Sequence, residues 1–110
     1  MVYTLFFSRL RDMSAAERRA YDDHARSVGA VAEAEHAGFV SQKTYVAEDG
    51  ERLTVVLFRD AASRRTWRLD RVHREAQMRG RADYYAEYRI VNCDDVHERA
   101  WTLTNAEAAR

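Results

Sequence analysis

Residues 39–58 read FVSQKTYVAEDGERLTVVLF, and this stretch decides the fold. Two runs rich in β-branched and aromatic residues, Phe39 to Ala47 and Arg52 to Phe58, flank the segment Glu48-Asp49-Gly50-Glu51. A tight hairpin turn needs positive φ, which an Asp-Gly pair accommodates. The pattern therefore predicts two antiparallel strands joined by a hairpin in the middle of the chain.

Upstream of the hairpin, the sequence predicts one strand and one helix. Val2 to Arg9 is rich in the aromatic and β-branched residues that strands favour. Ser14-Ala15-Ala16-Glu17 matches a capping box, in which the Ser and Glu side chains satisfy first-turn amides. We expect the helix to run to about Glu35 and Gly38 to act as its C′ residue.

Downstream of the hairpin, helix and strand follow again. Asp60 is expected to cap a helix over about 61–69, a further helical piece covers about 71–78, and 84–93 is the last strand. The order β-α-β-β-α-β predicts an α+β, ferredoxin-like fold with an antiparallel sheet and both helices on one face.

The strands carry apolar residues on both faces. Neighbouring apolar residues, which point to opposite faces of a strand, occur in Leu5-Phe6-Phe7, Val55-Val56-Leu57 and Ile90-Val91. The helices can bury only one face, so we expect a second copy of the chain to cover the other. The sequence thus predicts a homodimer that forms an α+β barrel, with Trp101 and Leu103 lapping onto the partner.

Length, charge and cysteine usage restrict the class of protein. We expect one domain over residues 1–104 of the 110-residue chain and a polar tail over 105–110. The 18 basic and 18 acidic residues balance, so neither nucleic acid nor a membrane surface is an expected partner. The single cysteine, Cys93, and the lack of a bilayer-length apolar run indicate a cytoplasmic protein.

Residues 67–88 contain a pattern suited to a pocket, W-x5-H-x3-Q-x2-G-x3-YY-x2-Y. Pockets for flat organic molecules are mostly apolar with a few polar groups that orient the ligand. His73 is the catalytic candidate, because imidazole titrates near neutral pH and can serve as a general base or hydrogen-bond donor. The alternative is a structural histidine near the end of a helix.

Trp67 and Tyr85 are expected to form pocket walls. Trp67 would lie about 120° from His73 on one unbroken helix, so the two converge only if the helix breaks near Asp70. Period two places Tyr85 on the opposite face from Tyr84 and Tyr88, and we favour Tyr85 for the pocket. Packing in the core or on the strand is the alternative for each of these rings.

Three polar side chains complete the expected substrate site. His24 lies on the inner stripe of the first helix, Ser8 is late in the first strand, and Gln77 is on the last helical piece. The other two histidines, His36 and His97, are expected at the surface. The four histidines lack the spacing of a metal site, and no glycine-rich phosphate loop is present, so we expect neither a metal nor a cofactor.

Over about residues 2–98 the chain resembles the antibiotic biosynthesis monooxygenase family. The resemblance rests on the order of the elements, on the Trp67–Tyr88 pattern and on two further segments: F-x-S-R-L at 6–10, and G-F-V-S followed by A-E-D-G-E-R within 38–52. It implies a dimeric α+β barrel and a cofactor-independent monooxygenase of small aromatic, polyketide-like substrates. In that chemistry the deprotonated substrate itself reduces O₂.

The same superfamily includes heme-degrading oxygenases. The resemblance aligns Ser8 with their Asn and Gln77 with their axial His, and only Trp67 is kept, so heme degradation is not expected. A cyclase or isomerase acting on a similar substrate, and a non-catalytic dimeric binding domain, are the alternatives, because a fold does not determine a function.

Overall fold

A computed structural model of the chain describes residues 1–104. The expected polar tail over 105–110 lies outside the described residues. In chain order the elements are β1 (Val2–Leu10), α1 (Ala15–Glu35), β2 (Phe39–Val46), β3 (Arg52–Phe58), α2 (Ala61–Leu69), α3 (Arg71–Arg79), a π-helical turn (Gly80–Tyr84) and β4 (Tyr85–Cys93).

The four strands form one antiparallel sheet in the order β2-β3-β1-β4. This is the ferredoxin-like arrangement, so the predicted fold is confirmed. The hairpin between β2 and β3 turns at Gly50, whose φ is 88°. The capping box also forms, with Ser14 Oγ accepting from the Glu17 amide and the Glu17 carboxylate accepting from the Ser14 amide.

Gly38 does not have the role that the sequence suggested. The helix α1 ends at His36 in extended conformation, and Gly50 is the only residue with positive φ among those described. A side chain at Gly38 would instead overlap the side chain of Ser63 in α2. Glycine is needed here because the chain leaving α1 passes close against α2. It is not needed for a left-handed helix cap.

The buried apolar side chains form two groups at opposite ends of the helix layer. One group joins the end of α1 to α2 and the sheet, and the other contains Tyr21 and Tyr84. The members of the first group are Val2, Ala32, Phe39, Val56, Phe58 and Trp67. The space between the two groups is hollow, and this hollow holds the candidate site.

Among residues 1–104, no helix lies on the opposite face of the sheet. Leu5 lies between Val55 and Val91 in the strand register, and this apolar row is half-buried by its own neighbours. Residues 94–104, which follow β4, have no regular structure, and Trp101 and Leu103 are 75% and 51% exposed. In the part of the chain that the structure describes, no helix is both long and apolar enough to cross a bilayer.

Candidate functional site

A cavity of about 500 Å³ separates the helices from the sheet. It reaches both edge strands, because Gln42 and Thr44 of β2 and Ile90 and Asn92 of β4 line it. Native interiors contain few voids larger than one water molecule. A hollow of this size corresponds instead to the cavities that bind small molecules, which run from about 300 to 1,000 Å³.

A break between α2 and α3 brings Trp67 and His73 together. Asp70 ends α2 and begins α3, and its Oδ1 accepts hydrogen bonds from the amides of Val72 at 2.8 Å and His73 at 3.3 Å. The rings of Trp67 and His73 consequently stack, with centroids 4.3 Å apart and planes at 29°. Both line the cavity, and the break expected near Asp70 is present.

His73 is held as a neutral base. Its side chain is half-buried, and its buried Nδ1 has no hydrogen-bond partner among residues 1–104. Burial is the main cause that lowers the pKa of His73, and the backbone at Arg68, followed by the Asp70 carboxylate, only partly opposes it. An uncharged imidazole that lines a cavity can accept a proton from a bound molecule.

His36, expected at the surface, is instead packed behind the same tryptophan. Its side chain is 11% exposed, its ring meets Trp67 edge-on at 5.1 Å, and its Nε2 lies 3.3 Å from Oδ2 of Asp70. This distance is within the range of an ion pair, but the contact does not have the geometry of a hydrogen bond. Sequence spacing missed this contact because His36 meets α2 and α3 only through the fold. His97 is at the surface, 90% exposed.

A cluster of tyrosines forms the other end of the cavity. The Tyr21 and Tyr85 hydroxyls lie 3.5 Å apart, and the Tyr21 ring meets the Tyr84 ring edge-on at 5.1 Å. Arg52 is close to this group, with its guanidinium carbon 5.8 Å from the centre of the Tyr21 ring. Burial, followed by the proximity of Tyr21, raises the pKa of Tyr85, so its hydroxyl remains a donor at neutral pH.

The predicted alternation of the tyrosines is wrong. Tyr88 pairs with Ser8 on the helix-facing side of the sheet, and its ring lies 6.0 Å from that of Tyr85 on the same side. The β1–β4 pairing shifts register between Arg9 and Leu10, which inserts one extra residue into β4 before Tyr88. Such a bulge reverses the alternation. Tyr84 also lines the cavity, from the π-helical turn.

Of the three remaining predicted site residues, two line the cavity and one does not. His24 and Gln77 line the cavity, whereas Ser8 is buried in the sheet and is not among the lining residues. His24 has a buried Nε2 without a hydrogen-bond partner among residues 1–104, and its pKa is lowered by burial and then by Arg79. Sequence reasoning missed Arg52, although Arg52, Thr54, Val56 and Phe58 alternate at period two toward the cavity.

Gly80 leaves room for the Tyr85 ring at the tyrosine end of the cavity, and this gives a first prediction. A Cβ at residue 80 would overlap the Tyr85 ring. We expect Gly80→Ala to displace that ring and destabilise the protein by about 1–3 kcal/mol, as overpacking does. Urea unfolding measures the change, and Ala82→Ser, at an exposed position in the same turn, is the control. Equal stability of Gly80→Ala and wild type would show that the contact is not tight.

Groups of acidic, histidine or cysteine side chains arranged to hold a metal do not occur among residues 1–104. The cavity instead offers imidazole, phenol, amide and guanidinium groups around apolar walls. This set can orient an organic molecule, take a proton from it and bind negative charge.

The fold is shared with several solved structures. A putative antibiotic biosynthesis monooxygenase from Deinococcus radiodurans superimposes with a TM-score of 0.74 at 10% identity, over 93% of this chain and 99% of that one. A second one, from Caulobacter crescentus, gives 0.72 at 10% identity, over 87% and 90%. A dimeric protein of unknown function with a ferredoxin-like fold, from Bacteroides fragilis, gives 0.69 at 11% identity, over 86% and 95%.

These likenesses establish the fold. The resemblance to antibiotic biosynthesis monooxygenases is thus confirmed as a shared fold that spans almost the whole chain. Identities of 10–11% do not carry an activity or a substrate across. No family model and no curated protein matches the sequence.

Proposed function

We propose that this protein is a cofactor-independent monooxygenase that acts on a small aromatic, polyketide-like substrate, with His73 as the base. The observation that carries the proposal is the half-buried imidazole of His73, which is stacked on Trp67 and lines a cavity of about 500 Å³. The fold shared with proteins named as antibiotic biosynthesis monooxygenases supports the same reaction class.

The reaction assigns a separate task to each wall of the cavity. Trp67 and Tyr85 hold a flat ring system, and His73 removes a proton from its phenol or activated carbon. The resulting anion transfers an electron to O₂, and the two radicals combine to a peroxide anion. This anion takes back the proton held by His73 and loses water to give a quinone. The substrate is the only reductant in this sequence. The aromatic walls exclude water from the bound substrate and hold its acidic group in contact with His73. Both effects favour the proton transfer.

Oxygen uptake tests the proposal. Protein freed of metal by chelation and free of flavin should consume one O₂ per molecule of an anthrone such as dithranol, faster than the anthrone oxidises alone. An identical turnover rate under argon would assign the site to a cyclase or isomerase. Absence of any oxygen uptake above background with anthrones and naphthols would contradict the proposal.

The titration of His73 gives a prediction about pH. Burial disfavours the charged imidazole, so an NMR titration should place the pKa of His73 below the ordinary value of about 6.5. The unfolded chain then binds a proton that the folded chain does not, and stability should decrease as pH falls below about 6.5. A titration midpoint above 6.5 would show that the imidazole is stabilised in its charged form.

We also propose a homodimer, formed by the uncovered face of the sheet. The apolar row around Leu5 and the exposed Trp101 and Leu103 are the surfaces that a second copy would bury. One solved structure with the same fold is described as dimeric, which supports this assembly. Two sheets packed face to face would close the barrel implied by the family resemblance.

A further inference from the structure

The charged side chains that line the cavity are basic. In the part of the chain that the structure describes, four arginines and no aspartate or glutamate face it, although the whole chain has 18 basic and 18 acidic residues. Arg64 donates two hydrogen bonds to the Asp94 carboxylate, which neutralises it. The other three, Arg52, Arg65 and Arg68, form no ion pair with any side chain that the structure describes.

These three arginines differ in their exposure. Arg65 and Arg68 are exposed on α2, where solvent and salt weaken their field. Arg52 is half-buried at the start of β3, so its interaction with a ligand is screened less. It lies 5.8 Å from the Tyr21 ring centre, beside the paired hydroxyls of Tyr21 and Tyr85. This end of the cavity therefore combines one permanent positive charge with a pair of hydroxyls, of which one O–H remains to donate to a ligand while the other donates within the pair.

The end of the cavity opposite the tyrosines has different properties. The stacked pair of Trp67 and His73 offers flat aromatic surface and an uncharged base, and neither group compensates a negative charge. A ligand that suits both ends has a flat ring system against Trp67 and an anionic substituent at the tyrosine end.

We propose that the ligand of this cavity is an aromatic carboxylate, and that Arg52 with the Tyr21 and Tyr85 hydroxyls binds its carboxylate group. Guanidinium and carboxylate match in a planar, two-point hydrogen-bonded pair, and the remaining phenol O–H donates to a further lone pair. Arg65 and Arg68 add a positive potential at the rim that attracts the anion without fixing its position. This inference rests on the proposed function and adds the class of substrate to it.

Calorimetric binding of two matched probes tests the inference. Anthraquinone-2-carboxylate and anthraquinone-2-carboxamide have the same rings and nearly the same size, and neither consumes oxygen. Wild-type protein should bind the carboxylate about tenfold or more tightly than the carboxamide, the size expected for a hydrogen-bonded ionic group. Arg52→Gln should reduce this ratio to about one, and Arg52→Lys should retain part of it.

The matched control is Arg19→Gln, which removes the same charge from an exposed position of α1 that does not line the cavity. It should leave the ratio unchanged. Equal binding of both probes by wild type, or binding of neither, would overturn the inference. Loss of selectivity in Arg65→Gln/Arg68→Gln but not in Arg52→Gln would overturn the assignment to Arg52. Because the probes need no turnover, selective binding without oxygen uptake would contradict only the proposed function.

Discussion

Replacing His73 with alanine should reduce the rate of oxygen uptake with an anthrone by about 100-fold or more. Removing a positioned general base usually costs about 10²–10⁴ in rate. Other groups do not replace it. His36 lies outside the cavity lining, and the raised pKa of Tyr85 keeps its hydroxyl protonated near neutral pH. His24 lines the cavity at its tyrosine end, with its ring 5.8 Å from that of Tyr84, and not beside Trp67. Steady-state oxygen-electrode rates at saturating substrate measure the effect.

Two further variants separate the loss of a base from the loss of packing. His73→Gln keeps most of the stacking area against Trp67 but cannot accept a proton in the neutral range, so it should be nearly as slow as His73→Ala. His97→Ala changes a histidine that is 90% exposed and should retain the full rate. A rate in His73→Gln close to wild type would assign His73 a packing role.

Replacing Val55 with glutamate should dissociate the proposed homodimer. Val55 pairs with Leu5 in the middle of the uncovered sheet face. Each apolar side chain on this face is already half-buried. Burial against a partner chain should therefore contribute about 1 kcal/mol per residue to the free energy of association, roughly half the value of full burial. A carboxylate placed there lies opposite Lys43 of β2, and burying both charged groups under a partner chain requires their desolvation, which costs several kcal/mol and cancels most of the association energy.

Light scattering at micromolar concentration measures this change. Wild type should show twice the chain mass, and Val55→Glu should show the mass of one chain together with a lower melting temperature. The control is Met78→Glu, which adds the same charge at an apolar residue of α3 that is 63% exposed. A wild-type monomer that stays folded at this concentration would contradict the barrel arrangement.

The fold was predictable because its determinants are local. Ser14 and Glu17, the Asp49-Gly50 turn, and the caps at Asp60 and Asp70 each act within a few residues, and their elements lie where the sequence placed them. The β1–β4 bulge was not predictable, because it depends on how two strands that are distant in sequence come into register. That bulge decides the direction of Tyr88 relative to Tyr85, so the error at Tyr88 followed from it.

The site was predictable in part for the same reason. Trp67 and His73 belong to one local segment, and the break at Asp70 brings their rings together. Ser8, Arg52 and His36 depend on distant partners. Ser8 is covered within the sheet, Arg52 meets a tyrosine from α1, and His36 packs on a tryptophan from α2. Their surroundings are set by tertiary contacts, which cannot be derived from the spacing of residues along the chain.

The hollow middle of the helix layer has a consequence for how the molecule opens. Buried contacts hold this layer to the sheet at its two ends, around Phe58 and around Tyr21, whereas the sheet beneath is hydrogen-bonded along its full width. Local opening requires less free energy where fewer apolar contacts are broken. Amides of α2 and α3 should therefore exchange with deuterium well before those of β1 and β3.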